Sequence, residues 1–175
     1  MVVDIRIEDD REEKTSFIII DSQGIKNTDT AEETGYDGGK KIKGIKRHIA
    51  VDTQGLPHAI AVTTADVGDR DGAITMIEDN KANLTKVQNI LADGGYTGDN
   101  FAQAVKDILG EAVSVEIGKK SNLVNGEVTP KRWVVERCFA WLEKCRRLWK
   151  NCERKLNTSL QMVNLAFLCL LLKRL

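Results

Sequence analysis

The sequence predicts an α/β domain built on a mixed five-stranded sheet that is flanked by helices. Three features predict this fold class. Three apolar segments of strand length with short connections come first, an order typical of an antiparallel meander. Helical and strand patterns then alternate, and the end of the chain is helical. The third feature is composition, because 175 residues with 42% hydrophobic and 30% charged side chains are typical of one folded domain.

Apolar runs bounded by Gly, Pro, Asp or Asn mark the strands. They predict five strands, over 16–22, 48–52, 56–65, 87–92 and 112–117. The first contains three consecutive isoleucines, which predicts a strand that is buried on both faces. The short alternating segment 2–7 predicts a further edge strand. Residues 24–39 are rich in Gly, Asp and Thr and predict an exposed loop.

Helical periodicity and end signals predict four helices, over 70–82, 100–109, 129–150 and 159–173. Asp69 is a suitable N-cap for the first, Gly110 ends the second, and Pro130 lies in the first turn of the third. The third helix has an apolar stripe that predicts packing on the sheet. The stripe consists of Phe139, Trp141, Leu142, Cys145, Leu148 and Trp149.

Basic side chains are clustered although the formal net charge is zero. Residues 40–47 contain five basic and no acidic side chains, and residues 119–155 contain 11 basic and 4 acidic ones. A polyanion would be attracted to such blocks, although solvated surfaces can also carry them. We find no signal peptide and no apolar run of spanning length, and the four cysteines are spaced for neither a disulfide nor a zinc site. These features predict a cytoplasmic protein with reduced and mostly packed thiols.

Two strands are predicted to end in carboxylates. Asp21 follows the isoleucine run, and Asp93 follows strand 87–92. If these strands are parallel neighbours, both side chains emerge at the same edge of the sheet, where ligands bind in open α/β folds. A third carboxylate, Glu136, lies among apolar and aromatic residues one helical turn after Arg132. Asp21 as a turn residue, and an ordinary surface pair between Arg132 and Glu136, are the alternatives.

Five motifs follow one another in order and carry a resemblance. They are Asp21-Ser22-Gln23; Gly35-Tyr36-Asp37 with Gly39-Lys40-Lys41-Ile42-Lys43-Gly44 and Lys46-Arg47-His48; Ala65-Asp66 with Asp69-Arg70-Asp71-Gly72; Asp93-Gly94-Gly95-Tyr96; and Arg132-Trp133-Val134-Val135-Glu136-Arg137. Together they resemble the catalytic half of a DDE transposase from a prokaryotic insertion sequence. The resemblance implies a ribonuclease-H-like fold. It also implies metal-dependent DNA cleavage and strand transfer by Asp21, Asp93 and Glu136, which would hold two Mg²⁺ ions, with Mn²⁺ as a substitute.

The resemblance further implies double-stranded DNA as partner, namely transposon ends and target, and a nucleoid-associated location. We expect a homodimer, or an assembly with a full-length transposase. Candidate DNA contacts are Lys40, Lys41, Lys43, Lys46, Arg47, Arg132, Arg137, Arg146, Arg147, Lys150 and Arg154. The expected organisation is an acidic segment over 1–15 and a catalytic domain over 16–175, without the N-terminal DNA-binding region of full-length members.

Two positions differ from the pattern around the glutamate in the wider family. Thr129 occupies a tyrosine position, and Glu143 a lysine position. We expect His48 to be structural, and Asp66, Asp69 and Asp71 to serve as turn and cap residues. Two other functions remain open from the sequence. One is a nuclease on the same scaffold that does not transpose, and the other is a non-catalytic fragment that binds DNA and regulates a full-length transposase.

Overall fold

A computed structural model of the chain describes residues 1–118 and 132–174. In these residues a single sheet contains six strands, and five α-helices accompany it. The strands are β1 (Phe17–Lys26), β2 (Gly35–Asp37), β3 (Ile42–Val51), β4 (Pro57–Thr64), β5 (Asn89–Ala92) and β6 (Ser114–Ile117). The helices are α1 (Val2–Glu8), α2 (Asp69–Asp79), α3 (Asp99–Leu109), α4 (Arg132–Glu143) and α5 (Leu156–Leu171).

Strand β1 lies at the centre of the sheet. It pairs antiparallel with β3, and β3 pairs antiparallel with β4. On its other side β1 pairs parallel with β5, which pairs parallel with β6. This confirms the predicted mixed α/β sheet and meets the condition that the strands carrying Asp21 and preceding Asp93 are parallel neighbours, although β1 continues past Asp21 to Lys26. The sixth strand is the short β2, which pairs with the start of β3 inside the segment predicted to be a loop.

Helices cover both faces of the sheet, so β1 is buried from two sides. Ile18 and Ile20 belong to the core beneath α2 and α3, which includes Met76 and Phe101. Ile19 points to the opposite face and belongs to the core beneath α4 and α5. Side chains alternate between faces along a strand, so only a strand covered on both sides accommodates three consecutive isoleucines without exposing one.

The predicted edge strand over 2–7 is wrong, because this segment forms α1. Val2 and Ile5, three residues apart, lie on one face of the helix and pack with Leu56 and Leu171. A segment of seven residues satisfies both the strand and the helix period, and the tertiary contact selects the helix. None of the helices in the two described ranges is long and apolar enough to span a membrane.

The third predicted helix is shorter than expected. Its part over 129–131 lies outside the described residues, and α4 ends at Glu143 instead of continuing to 150. The following backbone bonds to other elements: Asn151 N–H donates to Lys26 O at 3.0 Å, and Thr28 N–H donates to Asn151 O at 2.9 Å. These bonds replace helical ones. The thiols are free. The prediction that they are mostly packed is only partly correct, because Cys138 is buried while Cys152 and Cys169 are exposed.

A buried carboxylate attaches α1 to the sheet. Asp52, just after β3, is fully buried and pairs with Arg6, and Arg11 Nη1 lies 2.9 Å from its Oδ2 atom. The N–H groups of Gln54 and Leu56 donate to Asp52 Oδ1 at 2.9 and 3.0 Å. Burial alone would raise the pKa of Asp52. His58, the Leu56 N–H and Arg11 outweigh burial and lower the pKa to about 2.

Replacing Asp52 by Asn should destabilise the protein by about 3 kcal/mol, since Arg6 stays buried without a countercharge. Because the pKa of Asp52 is lowered on folding, its contribution is complete above the unfolded pKa and is lost as the pH falls towards 2. Urea denaturation near neutral pH measures the difference. Glu8→Gln, at an exposed position of the same helix, is the control. Equal stabilities of the two variants would contradict this account of Asp52.

Candidate active site

The register of β1 and β5 places two carboxylates at one edge of the sheet. Ile19 is paired with Leu91, and both strands run in the same direction. Asp21 and Asp93 lie two residues beyond this pair on their respective strands. The structure therefore brings together the two aspartates that the sequence selected, at the carboxyl end of β5 and in the middle of the longer β1.

Asp21 lies in a poorly solvated position with little compensation for its charge. Its Oδ1 atom accepts a hydrogen bond from Ser22 N–H at 2.7 Å. Burial, assisted by the charge of Asp93, raises the pKa of Asp21 to about 6 against the opposing effects of the Ser22 N–H, Lys40 and Arg132. Of the ion pairs formed in residues 1–118 and 132–174, none involves Asp21. A cation at this position would offset both the cost of burying the Asp21 charge and its repulsion from Asp93.

Asp93 caps a short turn that forms the base of the site. Its Oδ1 atom accepts a hydrogen bond from Gly95 N–H at 2.8 Å, which holds the 3₁₀ turn Gly94–Tyr96. Tyr96 is buried and its ring packs against Phe101 with 5.4 Å between centroids. Burial and then the charges of nearby carboxylates, Asp21 first, raise the pKa of Tyr96 above its ordinary value. Tyr96 therefore stays a neutral phenol beneath the two aspartates.

A buried lysine organises the carboxylates beside Asp21. Lys46 Nζ lies 2.8 Å from Asp69 Oδ1 and 3.3 Å from Asp37 Oδ2, and it donates to Val67 O at 2.8 Å. Burial alone would raise the pKa of Asp69. The interactions with Lys46, Ser22 and Lys40 outweigh burial and hold that pKa below its ordinary value. The network joins β3, the β2 hairpin and the start of α2 to Ser22, the neighbour of Asp21.

Sequence reasoning missed the role of Asp69, which it interpreted as a helix cap. The N-cap of α2 is Gly68, and Asp69 instead faces Lys46. Lys46 is separated from Asp69 by 23 positions, so no local pattern predicts their contact. The available signal was a glycine, Gly72, three residues after Asp69. A Cβ at Gly72 would overlap the ring of His48 on β3, so the glycine allows the start of α2 to lie close to that strand. That close approach brings the start of α2 against β3.

Glu136 belongs to the exposed side of α4. Its Oε1 atom lies 3.0 Å from Arg132 Nη2, and its side chain is 53% exposed. The sequence left this pair open as an alternative and argued against it from the neighbouring aromatic residues. The structure corrects that argument, because Trp133 is itself 50% exposed. Burial raises the pKa of Asp21 against the opposing effect of the Arg132 charge, and Glu136 lies one helical turn after Arg132.

Two of the candidate DNA contacts are buried, and for them the prediction is wrong. Lys46 is 3% and Arg47 1% exposed. Lys46 pairs with Asp37 and Asp69, and Arg47 Nη2 donates to Leu148 O at 2.8 Å. Alternation along β3 would bury only every second side chain. Consecutive side chains are buried here because helices and the hairpin cover both faces of the strand. Neither side chain can reach a phosphate in this conformation.

The remaining candidates divide into side chains that already contact another side chain of the protein and exposed side chains that form no ion pair in the described residues. Arg137 is half-buried between Trp133 and Trp141, with its guanidinium 4.5 and 4.7 Å from the two ring centroids. Arg147 pairs with Glu153 at 2.8 Å and Arg154 with Glu32 at 2.6 Å. The exposed candidates that form no ion pair in the described parts of the chain are Lys41, Lys43, Arg146 and Lys150.

His48 has a structural position, as the sequence suggested. It is fully buried and its Nε2 atom lies 3.0 Å from Thr63 Oγ1. Burial lowers the pKa of His48 to about 4. The ring is therefore neutral near pH 7, and it fills the space that Gly72 leaves at the start of α2.

The donor set suits a hard divalent cation at the aspartate pair. Asp21 and Asp93 offer carboxylate oxygens, which Mg²⁺ and Mn²⁺ accept readily. Burial raises the pKa of Asp21 despite the charges of Lys40 and Arg132, and a bound cation would favour its charged form. Over residues 1–118 and 132–174, however, no three His, Cys, Asp or Glu side chains are arranged as ligands of one ion. In this conformation Glu136 pairs with Arg132 instead.

Comparison with known families matches residues 12–172 to the family described as the transposase DDE domain. The chain is 30% identical, over 64% of its length and 55% of the relative's, to a protein of Burkholderia cepacia named as a transposase for insertion sequence element IS402. It is 26% identical, over 69% of its length and 92% of the relative's, to a protein of Brucella ovis named as a transposase for insertion sequence element IS6501. The chain thus spans about half the length of the IS402 protein.

A solved structure shares the architecture. A chain in the simian T-cell lymphotropic virus intasome bound to the PP2A regulatory subunit B56 gamma superposes with a TM-score of 0.57 at 16% identity. The match covers 88% of this chain and 47% of the other. At that identity the likeness concerns the fold alone. It confirms the predicted ribonuclease-H-like fold, with a mixed curled sheet and flanking helices.

Replacing Asp21 by Asn should stabilise the cation-free protein by up to about 3 kcal/mol near neutral pH. The folded-state pKa of about 6 lies above 3.8, the ordinary value for an aspartate. Ionisation of Asp21 therefore does not reduce the free energy of unfolding below pH 3.8. The reduction grows between pH 3.8 and about 6, and it is complete above about pH 6. Thermal unfolding in chelator at neutral and at acidic pH measures the gain, with the exposed Asp29→Asn as control. A gain that does not shrink at acidic pH would contradict the assignment.

Lys46→Met should destabilise the protein by about 2–3 kcal/mol, because Asp37 and Asp69 lose their shared cation. Lys43→Met is the matched control, since Lys43 lies on the same strand with an exposed side chain and should change stability by less than about 0.5 kcal/mol. Urea titrations of the two variants give the comparison. If they unfold at the same urea concentration, the Lys46 network does not stabilise the site.

Proposed function

Because the chain belongs to the transposase DDE domain family, we propose that it is a catalytic domain that cleaves DNA strands and transfers their ends during transposition of an insertion sequence. The observation that carries this proposal is the Asp21–Asp93 pair, which the register of β1 and β5 places at one sheet edge. The names of the IS402 and IS6501 proteins support the transposition of an insertion sequence element.

The proposed chemistry is displacement at a phosphodiester with assistance from divalent cations. Asp21 and Asp93 would hold Mg²⁺, or Mn²⁺ as a substitute, which supplies charge stabilisation for the attacking and leaving oxygens. The N–H groups of Ser22 and Gly95, which donate to Asp21 Oδ1 and Asp93 Oδ1, orient the two carboxylates. Glu136 is the third proposed ligand, and its exchange of Arg132 for the cation would link cation binding to a change at the start of α4.

DNA would approach the aspartates across the basic hairpin of β2 and β3. Lys40 is 45% exposed near Asp69, and Lys41 and Lys43 are exposed on the same hairpin. Such side chains contact phosphates, position a duplex and make its affinity dependent on salt. The recognition of particular end sequences, and the assembly state, stay predictions. The alignment covers 55% of the IS402 protein, so the rest of that protein has no aligned counterpart in this chain.

The test is incubation with labelled duplexes that carry the ends of the surrounding insertion sequence, a supercoiled plasmid target, and Mg²⁺ or Mn²⁺. We expect nicked ends and joined products. Asp21→Asn, Asp93→Asn and Glu136→Gln should each reduce both products by about a thousandfold or more, as for essential groups. Glu111→Gln, at an exposed position, should be as active as the unmodified chain.

The products distinguish the alternatives. Nicking without joined product would contradict strand transfer and indicate a nuclease. Binding of the ends without either product would indicate a regulatory DNA-binding fragment. Full activity of any one of the three carboxylate variants would remove that residue from the proposed catalytic set.

A further inference from the structure

Trp149 is held on the protein surface, contrary to its place in the predicted apolar stripe. Its side chain is 67% exposed, more than that of any other large hydrophobic residue in the described ranges. The preceding residue, Leu148, is only 3% exposed and belongs to the core beneath α4 and α5. The helix that would have turned Trp149 towards the sheet has already ended at Glu143.

The backbone around Trp149 is anchored on both sides. Arg47 Nη2 donates to Leu148 O at 2.8 Å, and Leu148 N–H donates to Cys145 O at 2.7 Å. On the other side Asn151 is buried and accepts a hydrogen bond from Ser159 Oγ at 2.7 Å. The indole therefore projects from a segment whose neighbours are fixed in the core. Little conformational entropy would be lost when it stacks against a ligand.

The surroundings of Trp149 favour a polyanion. Lys150 Nζ lies 5.5 Å from the ring centroid, and Arg146 is exposed three residues earlier. The acidic side chains of the segment are engaged elsewhere: Glu143 accepts a hydrogen bond from Gln23 at 2.7 Å, and Glu153 pairs with Arg147. An exposed aromatic ring in a basic segment is the arrangement that binds unpaired nucleobases, with the ring stacking on the base and the cations contacting phosphates.

The segment also has a fixed relation to the aspartate pair. Asn151 N–H donates to the carbonyl of Lys26, the last residue of β1, and Asp21 lies five residues earlier on the same strand. At about 3.3 Å per residue, Lys26 lies roughly 16 Å from Asp21. The strand that carries Asp21 therefore also anchors the segment that presents Trp149.

We propose that Trp149 is a stacking site for an unpaired base of the DNA strand that reaches the aspartate pair, with Arg146 and Lys150 on the flanking phosphates. The proposal rests on the proposed function and adds a second, sequence-tolerant contact to it. Binding at this site discriminates between paired and opened DNA, because a stacked base in an intact duplex does not present its face to the indole.

The test compares the full chain on two fluorescent probes, a blunt duplex and the same duplex with a short single-stranded extension, by anisotropy without divalent cations. Trp149→Ala should weaken binding of the extended probe about tenfold, the loss of one base–aromatic stack. It should change binding of the blunt duplex less than about twofold. Trp149→Phe should retain most of the affinity, because it keeps a stacking ring. Leu165→Ala, at an exposed apolar position of α5, is the control.

Tryptophan fluorescence gives an independent readout. The extended probe should quench the emission of the unmodified chain, and Trp149→Phe should lose that quenching although Trp133 and Trp141 remain. Equal weakening of both probes by Trp149→Ala, or no weakening, would overturn the stacking site while leaving the proposed function intact. Self-association that disappears in Trp149→Ala would overturn it in favour of contact with a second copy. Failure of the unmodified chain to bind either probe would contradict the DNA contact of the proposed function as well.

Discussion

The site depends on the parallel pairing of β1 with β5, which forces Asp21 and Asp93 to the same edge of the sheet. The pairing is maintained because the isoleucines preceding Asp21 fill the cores on both faces. Burial of each isoleucine stabilises the fold by about 1.5–3 kcal/mol. The raised pKa of Asp21 corresponds to a cost of about 3 kcal/mol at most. Packing therefore exceeds the cost of burying the Asp21 charge beside Asp93, and the folded protein tolerates this carboxylate pair.

Elements that approach this edge are attached to β1 or its neighbours by polar contacts. Lys46 joins the β2 hairpin to the start of α2 beside Ser22. Gln23 bonds to Glu143 at the end of α4, and the carbonyl of Lys26 fixes the segment that presents Trp149. The strand that carries the first aspartate thus also aligns the basic hairpin and the exposed tryptophan. One strand consequently sets the positions of the proposed chemistry and of the proposed DNA contacts.

The sequence predicted the parts of this arrangement that follow from local patterns. A doubly buried strand before Asp21 and a short apolar strand before Asp93 are visible in the order of residues, and both were correct. The pairing of Lys46 with Asp69 was not visible, because it arises where β3 meets the start of α2. Trp149 was assigned to the core because helical periodicity continues past Glu143. The bonds of the following backbone to β1 end the helix and expose the ring.

The most direct measurement of the central claim is the titration of the Asp21 carboxyl carbon by NMR, with and without Mg²⁺. If Asp21 and Asp93 form a confined pair that lacks a countercharge, Asp21 should titrate near pH 6 in chelator. Saturating Mg²⁺ should move that midpoint below 3.8, the ordinary value for an aspartate, because the bound cation favours the charged form. A midpoint near 3.8 in chelator that Mg²⁺ does not change would contradict the claim.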